Sequence, residues 1–421
     1  MTLGEAERIE VTVGPVAHGG HCVARWNGQV VFVRHALPGE RVVAEVTEVH
    51  RGYLRADAVE VLEASADRVE APCPYARPGR CGGCDLQHVA PPAQREWKAA
   101  VVREQLTRLA GLTPGEVADL DVQVRALPGG PLGWRSRVRY TVDAAGRAGL
   151  RKHRSHEVVP IDRCRIAHPA IQELPILAGG RRWPDFEAVE AVASTGDDVA
   201  VRGVSEGEVT VVQGPRTVRE VAAGRRWRLP AEAFWQVHPA AADTLVAAVL
   251  ELLAPRPGEA AWDLYGGAGL FAAALAQRVG TAGQVTLVES APLGVTAARD
   301  NLRDLPQIEI LATAVERALR VDSRPIRSRR RWGGEASGRR LTGPVDLVVL
   351  DPPRSGAGVP VVRALVGSGA RAIAYVACDP AAFARDVRAF REDGWRLVEL
   401  RCYDMFPMTQ HVECVGLLLP R

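Results

Sequence analysis

The stretch Ala260-Ala261-Trp262-Asp263-Leu264-Tyr265-Gly266-Gly267-Ala268-Gly269 decides the fold class of this chain. It reads as a short apolar strand ending in a carboxylate, then a glycine-rich turn, then the opening of a helix over residues 270–278. Glycines at such a turn let backbone approach a ligand closely, and a carboxylate at the strand end can receive a cationic or hydroxylated one. The glycine spacing is not G-x-G-x-x-G, so no pyrophosphate cradle is indicated. The same alternation continues on both sides. Residues 239–253 are helical in pattern, Gln284–Glu289 is a strand, and 345–350, 372–377 and 412–419 are further apolar strands. Strands separated by helical segments imply a mainly parallel, doubly wound sheet whose ligands bind at the carboxyl ends of strands. Glu289, at the next strand end, is suited to accept the two hydroxyls of a ribose. An adenosine-bearing cofactor without a pyrophosphate, such as S-adenosylmethionine, satisfies this pattern.

Three more strand ends carry chemistry. Asp351-Pro352-Pro353-Arg354 follows an apolar run, and paired prolines fix a rigid turn beside a site. Cys378 stands in Tyr375-Val376-Ala377-Cys378-Asp379-Pro380, where a strand gives way to a helix. A helix N-terminus favours thiolate, the nucleophilic form, so Cys378 is a candidate nucleophile. Glu413, in His411-Val412-Glu413, adds a carboxylate on a late strand.

Upstream the character differs. Residues 9–62 read as short alternating strands broken by turns such as Gly19-Gly20, the pattern of a small β-barrel of a kind that often binds nucleic acid. A cysteine-, proline- and glycine-rich segment follows from residue 71, then a helical stretch over 94–109. Cys73, Cys81 and Cys84 fall within twelve residues, with Cys164 downstream. Four thiolates can hold zinc or an iron–sulfur cluster, and the spacing is not that of radical enzymes, so either would be structural. Between Trp134 and His156 stand Arg135, Arg137, Arg139, Arg147, Arg151, Lys152 and Arg154 against the single acid Asp143, which points to RNA or DNA. The arginine-rich stretch 321–343 interrupts the catalytic pattern and reads as a mobile basic loop.

Composition bounds these readings. A length of 421 residues suggests several domains, and a 47% hydrophobic, 24% charged composition is that of a folded globular chain. Of 53 basic residues only Lys98 and Lys152 are lysine, so nearly all positive charge is guanidinium, the group suited to bidentate phosphate contacts. No run of apolar residues approaches a membrane span, and Glu5, Glu7 and Glu10 stand where a signal peptide would be basic then apolar, so a cytoplasmic location is expected.

Taken together these motifs resemble the RNA uracil-C5 methyltransferase family, whose members make 5-methyluridine in transfer or ribosomal RNA. The resemblance implies a multidomain α/β chain of three parts. Residues 1–64 would form a TRAM (OB-like) β-barrel that binds RNA, being similar to that module at Ala17-His18-Gly19-Gly20 and Leu37-Pro38-Gly39-Glu40. Residues 65–228 would form a central α+β domain with a basic RNA-binding surface, in which Cys73, Cys81, Cys84 and Cys164 hold a 4Fe–4S cluster. Residues 229–421 would form a Rossmann-like, doubly wound methyltransferase domain. Phe234-Trp235-Gln236 matches the family's F-x-Q element, so the resemblance makes Gln236, Tyr265, Glu289 and Asp351 the S-adenosylmethionine contacts. It makes Cys378 the nucleophile that adds to C6 of a uridine, and Glu413 the base that removes the C5 proton. Departures are Gly266 where many members have cysteine, Leu270 for a polar residue, His238 where asparagine is common, and a longer first cysteine spacing.

The chemistry suits these residues. Uracil C5 is too weak a nucleophile to take a sulfonium methyl unaided, and addition of a thiolate at C6 makes it enolate-like. The target base would be flipped out or lie in a loop. The rival readings are an exocyclic-amine methyltransferase, which needs no thiol, and a non-catalytic RNA-binding protein. A monomer is the expected state.

Overall fold

The computed structural model describes residues 4–321, 340–341 and 343–421. The arginine-rich stretch read as a mobile loop lies, apart from residues 321, 340, 341 and 343, outside the described residues. Strands β1 (Arg8–Ala17), β2 (His21–Trp26), β3 (Gln29–Arg34), β4 (Arg41–His50) and β5 (Tyr53–Glu63) close into a barrel in the order β1-β2-β3-β5-β4. Strand alternation sends Val11, Val13, Val31, Val33, Val42 and Ala44 inward to fill it. At its base Glu40 is fully buried and takes both nitrogens of an Arg68 fork, which ties the barrel to the segment that follows.

Helix α1 (Pro91–Arg108), helix α2 (Pro114–Asp119) and the short strand β6 (Val124–Ala126) come next. Then β7 (Arg137–Val142), β8 (Ala148–Arg151), β9 (Val158–Pro160), the single turn α3 (Pro169–Gln172), β10 (Ala188–Ala193), β11 (Val199–Ser205) and β12 (Glu208–Gln213) build an antiparallel sheet ordered β12-β11-β10-β7-β8-β9. A hairpin of β13 (Thr217–Ala222) and β14 (Arg225–Pro230) leads out of it.

The rest of the chain is α4 (Ala241–Leu253), β15 (Ala260–Leu264), α5 (Leu270–Val279), β16 (Gln284–Glu289), α6 (Pro292–Asn301), β17 (Ile308–Ala312), α7 (Val315–Ala318), β18 (Leu347–Leu350), α8 (Val359–Val366), β19 (Ala372–Ala377), α9 (Pro380–Glu392), β20 (Trp395–Asp404) and β21 (Glu413–Pro420). Its eight-stranded sheet runs β17-β16-β15-β18-β19-β21-β20-β6. Strands β15 to β19 are parallel and β21 is antiparallel to both neighbours. Apolar layers cover both faces, so the central strands are apolar throughout, as a doubly wound sheet requires. This is the multidomain α/β architecture expected, with the barrel at the N-terminus.

Three strands of this sheet escape the sequence reading. Strands β17 and β20 carry charges such as Glu309, Arg396, Glu399 and Arg401 that break any apolar run. Strand β6 has three residues and pairs with β20, so residues well upstream of the methyltransferase segment complete its sheet.

Candidate active site

The site lies where β15, β16, β18, β19 and β21 bring their ends together. At the first, Tyr265 adopts a left-handed conformation (φ 63°) and hands the chain to Gly266 and Gly267. A Cβ at Gly266 would stand 2.8 Å from the Leu287 side chain and 2.9 Å from an Asp263 carboxylate oxygen, so the turn admits no larger residue without movement. This is the position where a cysteine was noted as common, and here packing against Leu287 takes its space. The Gly267 N–H donates to Glu289 Oε2 at 2.8 Å, while Glu289 Oε1 accepts from the Ser290 and Ala291 amides. The carboxylate of Glu289 is thereby oriented by backbone on three sides. Asp263 accepts from the Ala272 N–H at 2.8 Å with Oδ2, and its Oδ1 is buried without a partner. Tyr265 donates its hydroxyl to Glu316 at 3.2 Å.

Strand β18 delivers Asp351 at the head of the double proline. The loop that follows is clamped from below by Asp386, whose carboxylate accepts from the Ala357 and Gly358 amides and from the Tyr375 hydroxyl, the last at 2.6 Å. Gly356 lies at φ 86°, and a Cβ there would meet that carboxylate at 2.6 Å. The loop is therefore held rigidly, which fixes Arg354 over the site.

Strands β19 and β21 deliver the reacting pair. Their antiparallel register pairs Ala377 with Cys414, so one step further sets Cys378 opposite Glu413 at the sheet end. Asp379, not Cys378, caps α9, accepting from the Ala382 N–H at 2.8 Å with one oxygen and meeting His18 of the barrel at 3.2 Å with the other.

All six expected residues line one cavity of about 860 Å³: Gln236, Tyr265, Glu289, Asp351, Cys378 and Glu413. Its electrostatics differ from the sequence expectation at Cys378. Burial, with the Glu413 charge second, pushes the thiol up to about 11 instead of down. The helix N-terminus that was to favour thiolate is occupied by Asp379, and carboxylates surround the sulfur. Burial also raises Asp351 to about 7, raises Asp263 to about 7 with the help of Asp351 and Glu289, and lifts Glu413 well above the usual carboxylate range with the help of Asp351. Arg354 opposes both shifts at Cys378 and Glu413. A cavity with this much displaced carboxylate charge is built for a cation.

Several residues of the site stand in motifs read from the sequence but were given no role in the site there. Arg354 and His411 line the cavity beside the reacting pair, and His411 is held neutral, lowered to about 4 by burial and by Arg354. Phe234 is 74% exposed within the cavity wall, an unusual placement for a large apolar ring. Trp134 and Phe406 meet edge to face, and Phe406 meets His411 in the same way, giving the cavity an aromatic wall. Supporting these, α1 grips the 404–411 segment with two side chains one turn apart. Gln94 accepts from the Met408 N–H at 2.9 Å, and the fully buried Lys98 donates to Asp404 at 2.5 Å and to the Phe406 carbonyl at 3.1 Å. One of only two lysines in the chain thus holds the approach to Glu413. Its signal in sequence was rarity alone.

Cys73, Cys81, Cys84 and Cys164 gather around one small cavity whose wall, at Gly83 and Arg135, is shared with the catalytic cavity. Burial pushes Cys81 up to about 11 and Cys84 up as well, with Cys164 adding to both. The Gly83 N–H donates to Cys81 Sγ at 3.4 Å, and Gln87 accepts from the Cys73 N–H at 3.0 Å. Among the described residues no three His, Cys, Asp or Glu side chains close on a single metal ion. Cys22, Cys402 and Cys414 are buried core residues.

A family model described as TRAM domain matches residues 5–59, and one described as tRNA (Uracil-5-)-methyltransferase matches residues 211–421. The chain is 52% identical to an RNA methyltransferase of Streptomyces avermitilis, described as uncharacterised, over 98% of each chain. It is 32% identical to the 23S rRNA (uracil(1939)-C(5))-methyltransferase RlmD of Chromohalobacter salexigens, over 97% of this chain and 88% of that one. In fold it is similar to the Pyrococcus abyssi tRNA (uracil-54, C5)-methyltransferase in complex with S-adenosyl-L-homocysteine, at a TM-score of 0.69 with 21% identity, over 98% of this chain and all of the other (100%). A TRAM barrel ahead of a doubly wound sheet with a cation-seeking cavity, and these matches over the whole length, make the chain a member of the tRNA (uracil-5-)-methyltransferase family: an S-adenosylmethionine-dependent RNA methyltransferase.

Proposed function

We propose that this enzyme methylates C5 of a uridine in ribosomal or transfer RNA through a covalent adduct between Cys378 and C6. The observation that carries the reading is the convergence of Cys378 and Glu413 at one sheet end, in the same cavity as the acid-tipped β15, β16 and β18. S-adenosylmethionine supplies an electrophilic methyl group on a sulfonium. Gln236, Tyr265, Glu289 and Asp351 would hold it, with Glu289 facing a ribose and Asp351 drawing positive charge.

The Cys378 sulfur adds to C6, the electrons pass to C5, and C5 takes the methyl group. Glu413 then accepts the C5 proton, and the C6–S bond breaks to return the thiolate. Burial disfavours the ionised form of both groups, and this sequence needs both ionised. A positive charge at about 4 Å in a partly buried site is worth about 4 kcal/mol, or about three pK units. A sulfonium, added to the charge of Arg354 that already opposes both shifts, therefore favours ionisation of Cys378 and Glu413 and couples it to a filled site. Arg354 follows the prolines where exocyclic-amine chemistry would place an aromatic ring, which favours the carbon-methylating reading.

The four cysteines around one small cavity would hold a structural 4Fe–4S cluster, as the family resemblance implies, with zinc as the alternative. Anaerobically purified protein is expected to carry about four irons and four sulfides per chain; stoichiometric zinc without iron would contradict this. We place the enzyme in the cytoplasm as a monomer. The mechanism is tested with Glu413→Gln, which should trap a covalent protein–RNA adduct visible as a retarded band in denaturing gels. An adduct that also forms with Cys378→Ala, or none with Glu413→Gln, would count against these roles.

A further inference from the structure

A second cavity, of about 270 Å³, opens at the seam between the barrel and the cysteine segment. Its floor is the Phe32 ring of β3, with the Arg55 guanidinium 5.7 Å from that ring's centre and 5.5 Å from Tyr53. Six cationic side chains line it, Arg34, Arg55, Arg77, Arg80, Lys152 and Arg154, against the carboxylates of Glu48 and Asp57 alone. Those two acids do not neutralise it. Glu48 stands 3.4 Å from Arg55 and 3.9 Å from Arg154 and also takes His50, while Asp57 lies 4.0 Å from Arg34. Lys152 pairs with Glu157, and among the described residues Arg77 and Arg80 have no ion pair. The Nε donor of Arg34 is buried without a hydrogen-bond partner, and that of Arg55 is buried 3.4 Å from Glu48. A cavity lined by six cations against two acids, with Arg77 and Arg80 unpaired among the described residues and an aromatic ring in its wall, suits an anion attached to a flat ring. His153, in the same wall, is lowered to about 4 by burial and by Arg34, Arg154 and Arg55, which reports the same excess of positive potential.

We infer that this seam cavity binds one phosphate-bearing nucleotide of the substrate RNA, apart from the target uridine, with its base on Phe32 and its phosphate among the arginines. The inference rests on the RNA-methylating reading for the identity of the ligand. The linings of the two cavities touch: Arg34, in the seam, meets Asp85 at 3.5 Å, and Asp85 lines the catalytic cavity and accepts the Gln410 N–H at 3.1 Å. A single unpaired nucleotide fits this volume, while a duplex does not enter it.

The test uses the full chain and a fluorescein-labelled, mixed-sequence, single-stranded oligoribonucleotide. The double variant Arg77→Gln/Arg80→Gln should weaken binding roughly tenfold and reduce the slope of log affinity against log salt by about 0.7, as the loss of one phosphate contact to a single strand requires. Arg77→Lys/Arg80→Lys should keep most of the affinity. The charge-matched control Arg363→Gln/Arg388→Gln, on α8 and α9, should bind within about twofold of the parent, since removing charge away from the strand's path leaves phosphate contacts intact. An Arg77→Gln/Arg80→Gln loss no greater than the control's would overturn the inference. Uridine 5′-monophosphate or inorganic phosphate competing at micromolar concentration would overturn it too, by assigning the cavity to a free nucleotide or anion. S-adenosylhomocysteine binding, followed by calorimetry, should be unchanged in the variants. If the parent transfers no methyl group to RNA while the Arg77→Gln/Arg80→Gln loss persists, the catalytic reading fails and the seam site stands.

Discussion

At the residue scale the catalytic cavity is a problem in charge. Asp351 and Asp263, each raised to about 7 by burial, gain charge as the pH rises through neutrality. A cationic ligand prefers the ionised carboxylate, so S-adenosylmethionine affinity should rise with pH, by about tenfold from pH 6 to 8 if the ionised form alone binds. S-adenosylhomocysteine, neutral at sulfur, should show a shallower rise. Calorimetric titration of both across that range checks the sign; equal slopes would detach the carboxylates from the sulfonium. The identities of these residues were legible in sequence because each follows an apolar run and opens a turn. Their protonation was not. The thiol expectation at Cys378 reversed because Asp379 takes the helix N-terminus and Glu413 arrives from a strand 35 positions downstream, a juxtaposition visible only once β19 and β21 are paired.

At the scale of elements, α1 is the brace of the 404–411 segment. Lys98 and Asp404 are both buried, and removing one partner of such a pair strands a charge at a cost of about 3–5 kcal/mol. Lys98→Ala should therefore lower the urea midpoint of the transition that includes the catalytic sheet, and should reduce methyl transfer because the approach to Glu413 loosens. Lys98→Met combined with Asp404→Leu should recover much of the stability without the activity. A single variant that costs less than about 1 kcal/mol would show the pair to be incidental. The sequence carries the period of α1 over 94–109, close to the observed Pro91–Arg108. It does not show what the helix holds, since the partners lie about 306 residues away. Strand β20 was missed for a related reason: its alternating charges suit a strand near the sheet edge, beside the short β6, and resemble no buried run.

At the scale of the whole molecule the barrel packs directly on the catalytic loops. Its β1–β2 turn places His18 on Asp379, and Gly20 lies so close to Asp85 and Gln410 that a Cβ would approach them at 2.9 and 3.1 Å. The Gly19-Gly20 turn was readable in sequence as a hairpin, but its docking against the catalytic loops was not, because close approach leaves only a glycine as its trace. Cysteine segment and methyltransferase sheet thus line one cavity, and the barrel packs on the loops beside it. The measurement that tests that reaction most directly is mass-spectrometric nucleoside analysis of ribosomal and transfer RNA from cells carrying the gene, lacking it, or carrying Cys378→Ala. The account expects 5-methyluridine to fall in one RNA fraction on loss of the gene and to stay low with Cys378→Ala. An unchanged level without the gene, or full restoration by Cys378→Ala, would contradict it.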